Sequence, residues 1–342
     1  MKAAPGRERG PSRWGRLVRW GLSLLFVAVV VWKAPLGQAL GLVRGLSFAA
    51  LAGAVLCTLL CPVVASFRWK RVLAYGGVHQ NLTDLVNDTL VASAYNVLLP
   101  SQVGGDFVRA WRCGKRLERQ DAGHLAWSTV LFERVMAMLS MAMVALVGLL
   151  GWLWKGSATG VLAEVTADGN ARLWWVTIAV FVLAALAMAL LSKPFHYAAR
   201  WLSNRAPKLA RLGASIAQDL EGSLAGLGSR AETLLWSVVY QFMSMMVLVS
   251  VVLSWGDMAG VWAVLAGVPV VLVVALVPVS AGGLGVRESL FVLVLGQLGV
   301  DADKALALAL VWLMSSLLLG IPGAVVVGFE ARKGSPSRER DG

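Results

Sequence analysis

Apart from a proline- and glycine-broken run after Met258, five stretches of this chain run for twenty residues or more without Asp, Glu, Lys or Arg: Leu46 to Phe67, Val135 to Trp154, Leu173 to Ser192, Thr233 to Trp255 and Ala305 to Phe329. An apolar helix crosses ~30 Å of hydrocarbon with about 20 residues at ~1.5 Å each, so every one of them predicts a membrane span. A sixth, weaker stretch ends near Trp32 and follows six Lys or Arg between Met1 and Arg19. No small-x-small cleavage site comes after it, only Lys33-Ala34-Pro35, so it reads as a retained first span.

Two regions break the pattern. From Leu82 to Arg119 an apolar limb interrupted by Asp84, Asn87 and Asp88 reaches Leu98-Leu99-Pro100, turns through a tip at Ser101 to Asp106, and returns with Arg109, Arg112, Lys115, Arg116 and Arg119. From Met258 to Val300 an uncharged limb with Pro269 and Pro278 reaches Gly282-Gly283-Leu284-Gly285, then Val286-Arg287-Glu288. Only twelve apolar residues remain between Glu288 and Asp301. Twelve helical residues reach ~18 Å, too short to cross alone. Both regions predict hairpins, re-entrant or crossing twice.

Charge assigns the sides. With the amino terminus inside, 24 of the 31 Lys and Arg fall on cytoplasmic segments, five fall outside, and Arg134 and Arg287 are left at membrane depth. That is the positive-inside distribution. It makes the first hairpin enter and leave from the cytoplasm and the second from the outside. The second half then repeats the first upside down, an arrangement common in secondary transporters. The fold expected is all-α and integral to the membrane: six spanning helices plus two helical hairpins in an inverted-topology repeat. A basic cytoplasmic tail (1–16) precedes one membrane domain (17–329, halves 17–154 and 173–329), and a polar cytoplasmic tail (330–342) follows.

Composition agrees. The 342 residues are 58% apolar and 15% charged, against about 25% charged in soluble domains. The formal charge of +12 would suit nucleic acid, but the basic residues lie between apolar runs, so no nucleic-acid partner is expected. Cys57, Cys61 and Cys113 read as buried thiols. No metal or cofactor motif appears, and His79, His124 and His196 have no ligand spacing. No nucleotide-binding loop appears either, so no ATP-driven step is expected of the chain itself. Trp32, Trp69, Trp152, Trp154, Trp174, Trp175 and Trp255 suit an interfacial aromatic belt. Between Phe195 and Leu227 a mixed segment with Arg200, Arg205, Lys208 and Arg211 reads as a helix on the inner membrane face or a plain loop helix.

The chemistry concentrates at the tips. Gly104 and Gly105 allow close backbone approach, Asp106 suits an N-cap, and Arg109 and Arg112, three apart, share a helix face. A half-helix N-terminus with arginines on its first turns suits an anion such as phosphate. Gly283, Gly285, Arg287 and Glu288 repeat that logic from the other side. Plainer readings stand beside it: Arg109 and Arg112 as loop-edge positive charges, Arg287 with Glu288 as a self-neutralising pair, and Glu133 with Arg134 as another pair at a span end.

Tyr95-Asn96-Val97-Leu98-Leu99-Pro100 with Gly104-Gly105-Asp106 and Arg109 resembles the first signature of the flippase-like lysylphosphatidylglycerol synthase membrane-region family. Arg68-Trp69 with Leu73, Glu133-Arg134, and Pro278 with Gly282-Gly283-Leu284-Gly285-Val286-Arg287-Glu288 are similar to its further signatures, in order, between Leu46 and Phe329. The resemblance implies a protein that moves a lipid across a bacterial inner membrane, an anionic phospholipid or an isoprenoid-phosphate lipid. It adds Asn96, Glu133 and Arg134 to the substrate-binding candidates. Only a short polar tail follows Phe329, so the aminoacyl-transfer activity of the family's synthases is not expected. The alternative is an accessory subunit or an enzyme acting on lipid-linked sugars, with Asp106 or Glu288 as acid or base.

Overall fold

The structure is a computed structural model that describes residues 36–98, 104–117, 123–158, 193–203, 206–222, 224–275 and 285–333. The expected first span, the span from Leu173 to Ser192, residues 99–103 before the first glycine pair, residues 276–284 with Gly283, and the tail beyond 333 lie outside these residues. All eleven described elements are helices: α1 (Leu36–Arg44), α2 (Phe48–Tyr75), α3 (Leu82–Leu98), α4 (Gly104–Arg116), α5 (Gly123–Ala158), α6 (Lys193–Leu202), α7 (Pro207–Glu221), α8 (Leu227–Ser254), α9 (Met258–Val274), α10 (Val286–Gln297) and α11 (Ala302–Lys333).

Four of them, at Phe48–Tyr75, Gly123–Trp154, Leu227–Ser254 and Ala302–Glu330, are long and apolar enough to cross a membrane. Each covers one of the uncharged stretches to within two residues and extends beyond it at one end or both. Where α2 passes Phe67 the reason is visible. Arg68 is buried against a carboxylate on α5, and Trp69 is fully buried with its Nε1–H donated to Thr129 Oγ1 at 3.0 Å. Trp69 is therefore a core residue and not part of an interfacial belt. Loss of hydrophobicity marks where a helix meets charge, which here is inside the protein.

The two hairpin regions form helix pairs, α3 with α4 and α9 with α10. Their members hold 17, 13, 17 and 12 residues, so at ~1.5 Å per residue none exceeds ~26 Å. Helix α9 is buried around most of its circumference, from Ala263 to Val271, which suits its uniformly apolar sequence. Its N-cap Asp257 accepts the Gly260 N–H at 2.9 Å and lies 3.3 Å from Lys304 Nζ. Partial burial would raise this carboxyl, but that N–H and Lys304 outweigh it and hold it below its ordinary value.

Packing follows an exchange between the halves. Helices α2 and α8 lie side by side, α3 rests on α11, and α9 rests on α5. Small residues make the crossings close. A Cβ on Gly323 of α11 would collide with the Leu90 carbonyl oxygen of α3, and one on Gly148 of α5 would meet Leu265 Cβ of α9 at 2.7 Å. Contact of that kind, and not water exclusion, drives helix association in lipid. Gly323→Ala is expected to cost about 1–3 kcal/mol, read from unfolding of the detergent-solubilised protein. Gly328→Ala, with nothing within 4 Å of the added methyl, should be near neutral.

The Phe195 to Leu227 segment forms two helices. Helix α7 is docked: Ile216 and Leu220, with Leu224 beyond its end, pack on Val72, Phe132 and Met136. Asp219 accepts the Ser128 hydroxyl at 2.6 Å and lies 2.7 Å from His124 Nδ1. Tyr197 and Trp201 of α6 and Leu209 and Leu212 of α7 remain exposed, so both helices keep an outward face of the character expected of a surface helix.

Candidate functional site

The site grows from the start of α4. The helix begins at Gly104, three residues earlier than an N-cap at Asp106 would allow, so Asp106 sits inside the first turn. A carboxylate there still meets the positive end of the helix dipole. Its side chain turns inward to Arg109 Nε at 3.0 Å and accepts a hydrogen bond from Arg134 Nε. Gly105 serves α3 and not a ligand. Its N–H donates to Asn96 Oδ1 at 2.9 Å, and a Cβ there would collide with the Ala92 carbonyl oxygen. Asn96 thus satisfies one of the N–H groups a helix start leaves without a partner.

Behind Asp106 lies a chain of buried charge. Glu133, with no exposed surface, accepts from Arg68 Nε at 2.8 Å and lies 3.1 Å from Arg109 Nη1. Arg68 also donates to Ser237 Oγ at 3.0 Å, its guanidinium lies over Tyr240, and that of Arg109 lies over Trp69. Helices α2, α4, α5 and α8 are joined through these side chains. Glu133 and Arg134 are consequently not partners of each other and do not mark a span end. Adjacent on α5, ten and eleven residues inside it, they face different neighbours.

Arg109 and Arg112 also diverge. Arg112 donates to Asp88 Oδ1 at 2.7 Å and grips both Glu330 oxygens at 2.6 and 2.7 Å, while Arg116 binds the other side of Asp88. These contacts tie α3, α4 and the end of α11 together. Both arginines therefore meet carboxylates, and they do not converge on one anion.

At the other tip the pairing expected of Arg287 and Glu288 is present, at 3.1 Å from Nη2 to Oε1. Glu288 Oε2 also reaches back to accept the Gly285 N–H at 2.6 Å, capping α10. Gly285 has φ +80°, a conformation natural to glycine. Arg287 is buried, yet its Nε has no partner among the described residues.

Arg287 and Arg134 open onto one cavity of about 340 Å³. It is bounded by residues of α2, α3, α5, α8, α9, α10 and α11, among them Asn96; among the described residues no carboxylate lines it, though Asp106 and Glu288 pair with its two arginines from behind. Of the sequence candidates, Asn96, Arg134 and Arg287 reach this space. Gly105, Asp106, Arg109 and Glu133 stand behind it, Glu288 caps α10, and Arg112 belongs to the Asp88–Glu330 cluster. The residues missed are the uncharged polar ones: Gln241, Ser93, Ser244, Ser315 and Ser316. Gln241 is almost fully buried in the middle of a long apolar span, and its Nε2 has no partner. An amide in such a stretch was the signal available.

The arrangement is that of a polar, cation-bearing chamber inside an otherwise apolar helical bundle. A family model for the lysylphosphatidylglycerol synthase TM region matches residues 16–323. The chain belongs to that family. No curated protein and no solved structure matches it. Membership of the lysylphosphatidylglycerol synthase TM region family agrees with four membrane-crossing helices and an all-helical fold, and places the chain in membrane lipid chemistry. The matched range spans both hairpin regions and contains every residue of the buried charge chain.

Proposed function

We propose that this protein translocates an anionic or phosphate-bearing lipid across the bacterial inner membrane, without ATP of its own and without chemical change to the lipid. The observation that carries the reading is the cavity. Two arginines open into it, no carboxylate among the described residues does, and helices of both halves bound it. A charged headgroup entering hydrocarbon loses its hydration at large cost. Fixed guanidinium, amide and hydroxyl groups would replace that water while the tails stay in the bilayer.

The exchange packing supports an inverted repeat. Each half contributes a span (α2, α8), a short pair (α3–α4, α9–α10) and a second span (α5, α11), and matching elements make matching contacts across the halves. Rocking one half against the other would expose the chamber to each leaflet in turn. Both termini lie in the cytoplasm on this reading, with α4 and the α6–α7 pair on that side.

The test is movement of a fluorescent phosphatidylglycerol between leaflets of vesicles holding the purified protein and no ATP. Wild type should move it, and Arg287→Gln should slow it at least tenfold per folded molecule, with a loss of melting temperature because buried Glu288 is left without its cation. Full-rate movement by Arg287→Gln would overturn the role given to the cavity. No movement of any anionic or isoprenoid-phosphate lipid, with or without an ion gradient, would replace transport by a role as accessory subunit or enzyme on lipid-linked sugars.

A further inference from the structure

The two ends of α11 are held in different ways. Toward its start, Ala305 to Ala309 are all buried. Ala305, Leu308 and Ala309 pack with Val252, Phe291 and Leu298 in the main apolar core, while Leu306 and Ala307 pack on Ala39 of α1. Past Gly323 the burial stops: from Ala324 to Glu330 no residue is buried. The bond that fastens this last segment is ionic. Both Glu330 oxygens accept from Arg112 of α4, and half of the Glu330 side chain is exposed.

Between the two ends lies a place to bend. Pro322 has no N–H to offer the Leu318 carbonyl, and Gly320 and Gly323 flank it. Sharp bends in long helices gather at such residues. The order along the helix matters as well. The cavity is lined by α11 from Trp312 to Leu319 and by α3 from Ser93 to Val97. The close crossing of Gly323 on Leu90 stands just past that lining, and Glu330 stands seven residues further on, about 10 Å. From the chamber toward the end of α11, the seam between α3 and α11 is therefore closed by a glycine crossing and then by the clasp. In the other direction α11 runs into packed apolar side chains.

The clasp opens without stranding a buried charge. Asp88 has no exposed surface, and both Arg112 and Arg116 pair with it. Arg112 keeps Asp88 when Glu330 leaves, and the Glu330 carboxylate leaves toward water. Separating an exposed pair of that kind costs far less than breaking a buried one. At the other end Lys304 lies 3.3 Å from Asp257 and 3.5 Å from Asp301, beside a wall that is already packed.

We infer that the segment of α11 after Pro322 is a latch over the chamber: Glu330 parting from Arg112 frees it, and the chamber opens at that end first. The inference rests on the transport reading, which supplies the chamber and puts this end in the cytoplasm. It concerns access, however, and is measured without lipid.

The experiment is the reaction of a cavity thiol with a membrane-impermeant maleimide. Ser316→Cys places that thiol on the cavity wall, in a full chain whose three native cysteines are replaced by alanine. Inside-out and right-side-out vesicles of the expressing bacterium's inner membrane present one face each to the reagent. Adding Glu330→Gln should speed the reaction about fivefold from the cytoplasmic face and leave it unchanged from the other, with little change in melting temperature. Lys304→Gln should alter the rate from either face by less than about twofold, because the packed start of α11 holds that side.

Unchanged reactivity of Glu330→Gln from the cytoplasmic face overturns the inference, and a lowered melting temperature beside it would make the clasp a structural brace. Faster reaction from both faces, or from the opposite face alone, overturns it too. So does Lys304→Gln opening its own side as readily, which would remove the order of opening. Access gained by Glu330→Gln with no lipid moved by any variant would leave the latch standing and defeat transport. Lipid movement with access unchanged would do the opposite.

Discussion

Glu133→Gln is expected to destabilise the protein by about 3–5 kcal/mol, the loss typical when one partner of a buried ion pair is removed. Glutamine keeps the shape, so the effect isolates charge. Glu133 is wholly buried between Arg68 and Arg109, and without it two guanidinium groups stay in the interior with less to balance them. Arg109 retains Asp106, while Arg68 retains the Ser237 hydroxyl and the Tyr240 ring. Reversible unfolding in mixed detergent reads the change. A loss below about 1 kcal/mol, the size of an exposed pair, would mean that water reaches Glu133. Arg109→Ala belongs with this variant, since its side chain is held by two carboxylates and its removal should lower stability before it touches recognition.

Locking α3 to α11 should stop lipid movement. A Cβ built on Gly320 would stand 3.8 Å from Val97 Cβ, the spacing at which two cysteines form a disulfide without backbone shift. Val97 lines the cavity, so the bond would pin the first short pair to the last span beside the chamber. With Cys57, Cys61 and Cys113 replaced, Val97→Cys with Gly320→Cys should oxidise readily and reduce transbilayer movement at least tenfold. A reductant should restore it, and either single variant should remain active. Full-rate movement with the bond formed would show that this contact stays fixed during transport.

Much of the architecture was legible because lipid imposes a simple demand. An uncharged run of twenty residues has few other uses, and α2, α5, α8 and α11 each carry one. The short pairs were legible too, from Asp88 and Arg287 interrupting apolar limbs and from twelve residues being too few to cross. Helix ends were harder. The sequence shows where charge begins, but Arg68 and Glu133 neutralise each other inside the fold, so α2 and α5 continue through them. Partner choice was hidden for the same reason. Glu133 and Arg134 are adjacent in sequence and point to different helices; Arg109 and Arg112 share a helix, but Arg112 meets carboxylates 24 and 218 residues away while Arg109 meets Asp106 on its own helix and Glu133 on α5. Gly105 looked like a place for a ligand because close approach was required; only packing shows that α3 is what approaches. Gln241 and the serines were overlooked because uncharged polar residues barely disturb hydropathy.

The most direct test of a lipid-bearing chamber is a cryo-electron microscopy map of the protein in nanodiscs containing phosphatidylglycerol. Headgroup density should occupy the cavity beside Arg134, Arg287 and Gln241, continuous with acyl chains that leave between helices. A cavity filled only by water or side chains, with lipid confined to the outer surface of the bundle, would contradict it.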